Sequence, residues 1–304
     1  ANTTASNNTA VGSAALNANT TGANNVAVGK DSLDSNTTGA NNVAVGMDAL
    51  QANTTSANNV AVGTQALINN TAANNTAVGN DALAANTTGT RNTATGAIAL
   101  DANTSGSDNV AVGYSTMGGN TTGASNAAVG SGALNDNTTA SNNTAVGTSA
   151  LTNNTTGASN TALGKSALFT NITGGQNVAV GFEAGDGCDD ANYNTSVGWQ
   201  ALSGNAGDNN TVVGAQSGVA ATGNRNTLLA VNAGYALTSG DNNLLLGVDA
   251  GRTGSPGGNI TSGSNIIVLG DENITSAQIK VDWTVVSDQR DKTDFTALDL
   301  GLDF

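Results

Sequence analysis

The hydrophobic positions of this chain keep a fixed phase. Triplets that alternate large, small and large, such as Val26-Ala27-Val28, Val43-Ala44-Val45 and Val60-Ala61-Val62, end on a glycine and return at an interval of seventeen at most steps. That glycine stands at Gly12, Gly29, Gly46, Gly63, Gly79 and onward to Gly214, gives way to Ala230 and returns at Gly247. Of these fourteen steps eleven span seventeen positions and three span sixteen. A looser copy from Asn265 to Gly270 follows an insertion at 252–264, which makes sixteen units. A triplet of this kind, read as a short strand, puts two larger residues on one face and a methyl group on the other. Past the glycine a small residue and a leucine recur, as at Ala49-Leu50 and Ala133-Leu134, before a polar Asn-Thr-Thr-Gly segment. Each unit therefore reads as one rung of two short strands and two turns, too short for a pair of helices. The predicted fold is all-β, a repetitive parallel β-solenoid or flattened β-roll with ~17-residue rungs, on the order of 75 Å long at strand spacing.

Four residues before each glycine the chain carries asparagine without exception, through Asn25, Asn42, Asn59, Asn75, Asn92, Asn109, Asn126 and Asn143 and on to Asn243. Identity at one phase implies stacked rungs. Stacked Asn side chains can bridge amides from rung to rung, so these residues are expected to form a structural ladder. About four apolar side chains per rung, several of them alanine, offset poorly the ~1–2 kcal/mol of backbone entropy that each ordered residue costs. A second burial surface is needed, and the apolar residue on the outer face of the Val-Ala-Val strand, read as the alanine, supplies a continuous stripe suited to threefold self-association. The expected partner is the chain itself, as a homotrimer.

Composition narrows the function. The chain has 304 residues with 40 Gly, 1 Pro, 10% charged residues, 4 Phe, 3 Tyr and 2 Trp, too few bulky groups for a large three-dimensional core. A net charge of −14 repels nucleic-acid backbones and anionic surfaces. No apolar run approaches the ~20 residues that a membrane span needs, so no membrane insertion is expected. With no histidine and one cysteine, Cys188, zinc sites, Ser/His/Asp catalysis and an intrachain disulfide are excluded, and no cofactor is implied. The acidic stretch of Glu183, Asp186, Asp189 and Asp190 lacks the recurring glycine-aspartate pattern of calcium-binding rolls and reads as a solvated loop. Asn-x-Thr triplets such as Asn19-Thr20-Thr21 arise from the turn sequence itself rather than as glycosylation acceptors.

The repeats, with Asn24-Asn25-Val26-Ala27-Val28-Gly29 and the Asn-Thr-Thr-Gly-Ala-Asn turn, resemble the head repeats of trimeric autotransporter adhesins and, more closely in their length, the shafts of bacteriophage tail fibres. The resemblance covers roughly residues 1–270 and implies a trimeric, left-handed parallel β-roll, in a virion tail fibre or a comparable extracellular or cell-surface rod that mediates attachment to a host receptor. From about residue 181 the rungs vary: aromatics appear at Phe182, Tyr193, Trp199 and Tyr235, and the post-glycine leucine often becomes glycine, as at Gly185, Gly218, Gly234 and Gly251. The aromatics suit either contact with sugars or a receptor, or filling a wider trimer centre.

After Gly270 the phase is lost, and 271–304 reads as a linker and a further module. Its run Ser287-Asp288-Gln289-Arg290-Asp291-Lys292 resembles the opening of the endosialidase-type intramolecular chaperone at the C-terminus of phage fibres. By that resemblance Ser287 is a nucleophile and Lys292 its base, in self-cleavage by a longer precursor only; the chain as given is not expected to be an enzyme. A competing reading is an ice-binding solenoid, prompted by the ranks Thr20-Thr21, Thr37-Thr38, Thr54-Thr55, Thr87-Thr88 and Thr121-Thr122. Adjacent threonines in a strand point to opposite faces, which counts against one hydroxylated plane.

Overall fold

A computed structural model describes residues 4–276. Sixteen strands of three residues each, β1 (Thr9–Val11) through β16 (Ile267–Leu269), form one parallel sheet in chain order, and among the described residues there is no helix. Pairing is in phase with the repeat: β2 (Val26–Val28) sets Val26, Ala27 and Val28 beside Val43, Ala44 and Val45 of β3 (Val43–Val45). Each strand is short because both ends are turned by left-handed backbone. Asn24 before β2 has φ 60°, and Gly29 after it has φ 135°. A side chain at this glycine position has nowhere to go, since a Cβ on Gly12 would lie 2.5 Å from the carbonyl oxygen of Gly29 in the next rung. The chain is thus a parallel β-solenoid of ~17-residue rungs.

The second strand expected in each rung is absent, and the reason lies in backbone handedness. Beyond the glycine, residues such as Asp31 (φ 57°) and Leu33 (φ 50°) take left-handed conformations at alternate positions. The alternation sends N–H groups in opposite directions: Asp31 donates to the Ser13 carbonyl of the previous rung at 2.9 Å, and Leu33 to the Ala49 carbonyl of the next at 3.0 Å. The limb is tied rung to rung like a sheet without being extended. Leucine rarely adopts positive φ, at a cost of roughly 1–2 kcal/mol, so the apolar pattern alone favours the wrong conformation.

The interior is narrow. From β2 onward the central residue of each strand, alanine in most, points inward, as do the small residue and leucine after the glycine; Ala44, Ala49 and Leu50 are fully buried. A row of ten buried asparagines, from Asn19, Asn36 and Asn53 to Asn154 and Asn171, completes it. This row lies in the Asn-Thr-Thr-Gly segment, read from sequence as a polar turn. Its amides form the side-chain ladder: Asn36 Nδ2 donates to Asn19 Oδ1 at 2.9 Å, Asn103 to Asn86 at 2.8 Å and Asn120 to Asn103 at 2.9 Å. The second proton of each Nδ2 goes to the carbonyl three residues on, as from Asn36 to Gly39 at 3.0 Å.

The asparagines preceding the strands are also buried, but they join rungs differently. Asn25 Oδ1 accepts the main-chain N–H of Asn42 at 2.9 Å, and Asn109 Oδ1 that of Asn126 at 3.0 Å. Asn59, Asn75, Asn92 and Asn143 accept in the same way, while Asn25 Nδ2 donates to the Gly39 carbonyl at 2.8 Å. Gly39 therefore receives both asparagine rows on one oxygen. Where the turn between Asn70 and Asn75 is one residue short, Asn70 donates to the Ala72 carbonyl at 2.6 Å instead. Asn53 Oδ1 and Asn59 Nδ2 are then left buried with no partner in the chain.

From residue 185 the core exchanges its walls. Leucine after the strand becomes Gly185, Gly218, Gly234 and Gly251, with Leu202 retained, while the strand centre grows from alanine to Val212, Leu228 and Leu245. A Leu228 methyl lies 2.7 Å from where a Cβ on Gly218 would stand, and a Leu245 methyl 2.9 Å from that of Gly251. Volume lost on one wall is supplied from the other. The ladder ends at the same place, because Cys188 and then Ala221 and Leu237 follow Asn171, whose Oδ1 has no partner. Between β15 (Leu244–Leu246) and β16 the insertion closes on itself, with Ile260 N–H bonded to the Gly251 carbonyl at 2.8 Å, and Ile260 resumes the interior row.

Two stability outcomes follow from these contacts. Asn103→Ala strands Asn86 Oδ1 and one Asn120 proton and should destabilise by about 1–3 kcal/mol for each group left unpaired, against within about 0.5 kcal/mol for the exposed Thr38→Ala, by denaturant melts. Leu228→Ala should cost about 2–5 kcal/mol. Gly218→Leu should be destabilising alone and restorative in the Leu228→Ala background, a reversal of sign that identifies the wall exchange.

Candidate interaction face

The outer stripe is not the alanine expected from the sequence: the narrow interior takes the methyl group, and the alternation turns the larger neighbours outward. Ala27, Ala44 and Ala61 are fully buried, while Val26, Val28, Val43 and Val45 are only partly covered. Two columns of side chains thereby run along the outside of the sheet. One mixes Val and Thr, as at Thr76, Thr93, Thr144, Thr161, Thr195, Thr211 and Thr227, and ends in Leu244 and Ile267. The other is apolar at every strand except β6 (Thr93–Thr95), running through Val112, Val129, Val146 and Leu163 to Leu229, Leu246 and Leu269. Exposure reaches 58% at Val11, 48% at Leu163 and 62% at Ile267. No described residue covers this face, and a continuous apolar strip of such extent is atypical of a solitary soluble surface.

The two members of each threonine pair in the turns differ. The first, except at Thr54, donates its hydroxyl to the main chain of the next rung, Thr37 to the Thr54 carbonyl at 3.0 Å and Thr121 to the Thr138 carbonyl at 2.9 Å. The second, as at Thr21, Thr38, Thr88 and Thr122, is exposed and recurs from rung to rung. Another amide file lies in the open, from Asn7 through Asn24, Asn41 and Asn58 to Asn74, with bonds of 3.1 to 3.3 Å. In the same file Arg91 grips Asp108 through two bonds of 2.6 and 2.8 Å, which lower the Asp108 carboxyl and raise the guanidinium. Being exposed, the pair adds little to stability.

The aromatics that mark the variant rungs lie outside the core. Phe182, Tyr193, Trp199 and Tyr235 are all exposed, with Lys165 Nζ 5.6 Å from the Phe182 ring centre and the Arg252 guanidinium 4.9 Å from that of Tyr235. Inside the same region Cys188 is fully buried, and desolvation, with Asp186 second, pushes its thiol up to about 12. Burial also raises the Asp186 carboxyl, assisted by Glu183. Among the described residues no three His, Cys, Asp or Glu side chains gather closely enough to hold a metal ion.

Of the residues singled out by sequence, the asparagines from Asn25 to Asn143 are brought together as a buried file. Ser287 and Lys292 lie outside the described residues. The Asn19-to-Asn171 ladder is missed by a reading that treats turns as solvent-facing, although its recurrence in step with the strands is a signal present in the sequence. No protein-family model and no curated protein matches this sequence.

The buried thiol makes a direct expectation. At pH 8 a group titrating near 12 is thiolate in roughly one molecule in ten thousand. Cys188 should therefore resist an aromatic disulfide reagent in the native protein. It should react stoichiometrically once denaturant unfolds the rungs, as followed by absorbance.

Proposed function

We propose that the chain is the shaft of a fibre, acting through length and repetition rather than catalysis, and that three copies associate through the outer faces of their sheets. The observation that carries this reading is the uncovered double column, mostly Val, Thr and Leu, on the sixteen strands. A thin core of alanine and leucine rows makes burial of that strip energetically important. The resemblance of the repeats to phage tail-fibre shafts and adhesin heads supports placing such a rod on a virion or outside the cell, where it would hold a binding tip toward a host surface. A negative, repetitive surface with hydrogen-bonded amide files suits an exposed position.

Ice binding keeps two observations in its favour. The outward threonines Thr144, Thr161, Thr195, Thr211 and Thr227 are aligned on parallel strands, with Thr93 and Thr95 as a Thr-x-Thr unit, and the second threonines of the turns, such as Thr38 and Thr122, form an exposed rank. The adjoining column is almost wholly aliphatic, which suits protein contact better than an ordered water layer.

Light scattering at micromolar concentration should give three times the 29.5 kDa chain mass. The double substitution Val112→Asp, Val129→Asp should shift that mass toward the monomer while circular dichroism is retained. A monomeric parent protein, or thermal hysteresis in a purified sample, would overturn the fibre reading.

A further inference from the structure

The corner that follows each strand carries a second recurring feature, confined to the variant rungs. Phe182 and Trp199 follow Gly181 and Gly198 at the same phase, after the neighbouring strands β11 (Val178–Val180) and β12 (Thr195–Val197), whose residues Val180 and Val197 are direct partners. The two aromatic positions are thus one strand spacing apart, ~4.8 Å. They are 39% and 49% exposed. Immediately after them in the chain runs a polar rail: Gln200 Nε2 donates to Glu183 Oε2 at 2.9 Å, and Gln216 Nε2 donates to Gln200 Oε1 at 3.2 Å. Each rail bond uses one amide proton, leaving the other proton of Gln200 and Gln216 and carboxylate lone pairs of Glu183 for a ligand.

We propose that Phe182, Trp199 and the Glu183-Gln200-Gln216 rail form a binding row for a neutral, extended β-linked oligosaccharide. A pyranose ring offers C–H groups on its faces and hydroxyls on its edges, matching an aromatic flanked by fixed amides and a carboxylate. An extended β-linked chain lying along the rod brings its hydroxyl edges past the rail while its rings lie over the aromatic pair. The Glu183 carboxylate and the net charge of −14 disfavour acidic sugars, which selects the neutral class. Lys165, held over Phe182, fixes one end of the row. Tyr114 occupies the same corner position between Ala97 and Ser131, with no aromatic neighbour at that phase, and is the natural control. The inference stands on this row and does not depend on the fibre reading.

The test uses the full chain carrying Trp283→Phe, which leaves Trp199 as its one tryptophan. Cellotetraose and the β-1,4-linked tetramer of N-acetylglucosamine serve as probes, with α-linked maltotetraose for comparison. At least one β-linked tetramer should produce a saturable change in Trp199 emission, and maltotetraose should not. By calorimetry, Trp199→Ala and Phe182→Ala should each weaken that binding by about tenfold or more, whereas Tyr114→Ala should leave it unchanged. Light scattering on every variant separates loss of binding from altered assembly. No saturable response at millimolar sugar, equal affinity in Trp199→Ala, or a Trp199 shielded from acrylamide because copies bury it would overturn the proposal.

Discussion

Everything in this chain depends on like groups being stacked at one height. An asparagine amide buried away from water must find partners for one oxygen and two protons, and in a narrow coil with few other polar side chains the natural partners lie in the rungs above and below. Asn103 shows the solution: it donates to Asn86 and to the Gly106 carbonyl, and accepts from Asn120. The asparagine file before the strands solves the same problem with main-chain N–H groups. Because each rung supplies what its neighbours lack, a rung by itself would be a set of buried, unsatisfied amides. The near-constant repeat length follows from that requirement, since a residue lost in a turn breaks a file locally: Asn53 Oδ1 loses its partner at the short turn after Asn70, and the ladder resumes at Asn86.

The apolar interior is subordinate to the polar files. Alanine at the strand centre and leucine on the following limb leave room for Asn36 and its equivalents, and the leucine accepts a strained left-handed backbone to point inward. Once the asparagine row gives way to Cys188, Ala221 and Leu237, the constraint on the walls changes as well. Leucine moves to the strand, as at Leu228 and Leu245, and glycine takes the left-handed position where it is unstrained. The C-terminal rungs thus keep the fold while replacing one amide row by hydrocarbon packing; the row before the strands continues through Asn194, Asn210, Asn226 and Asn243.

The period, the parallel stack, the Asn25-type file and the change of rung near residue 181 are all legible in the sequence, because each is a statement about identity at fixed spacing. What escapes is conformation within the rung. Ala49-Leu50 looks like strand by side-chain type, but Leu50 has φ 52° and belongs to a turn. Asn36-Thr37-Thr38-Gly39 looks like a solvent-facing turn, yet Asn36 is fully buried while Thr38 is exposed. Composition rules average over such neighbours. The direction of the Val-Ala-Val triplet is the reverse of that read from the sequence, because either face of it is apolar and the narrow space beside Leu33 and Asn36 decides for alanine inward.

Sixteen similar rungs also pose a problem of counting. A strand such as β3 meets nearly the same side chains whether it pairs with its true neighbour or with one a rung further along, so a purely uniform stack would have many misaligned arrangements close in energy. The irregular rungs remove that degeneracy. A slip by one repeat would set the short turn at Asn70 against a full-length one elsewhere, and would bring Leu228 against a limb that already carries leucine. The unpartnered Asn53 oxygen and the exchanged core walls are therefore small local penalties that number the rungs, giving a repetitive chain one alignment among many.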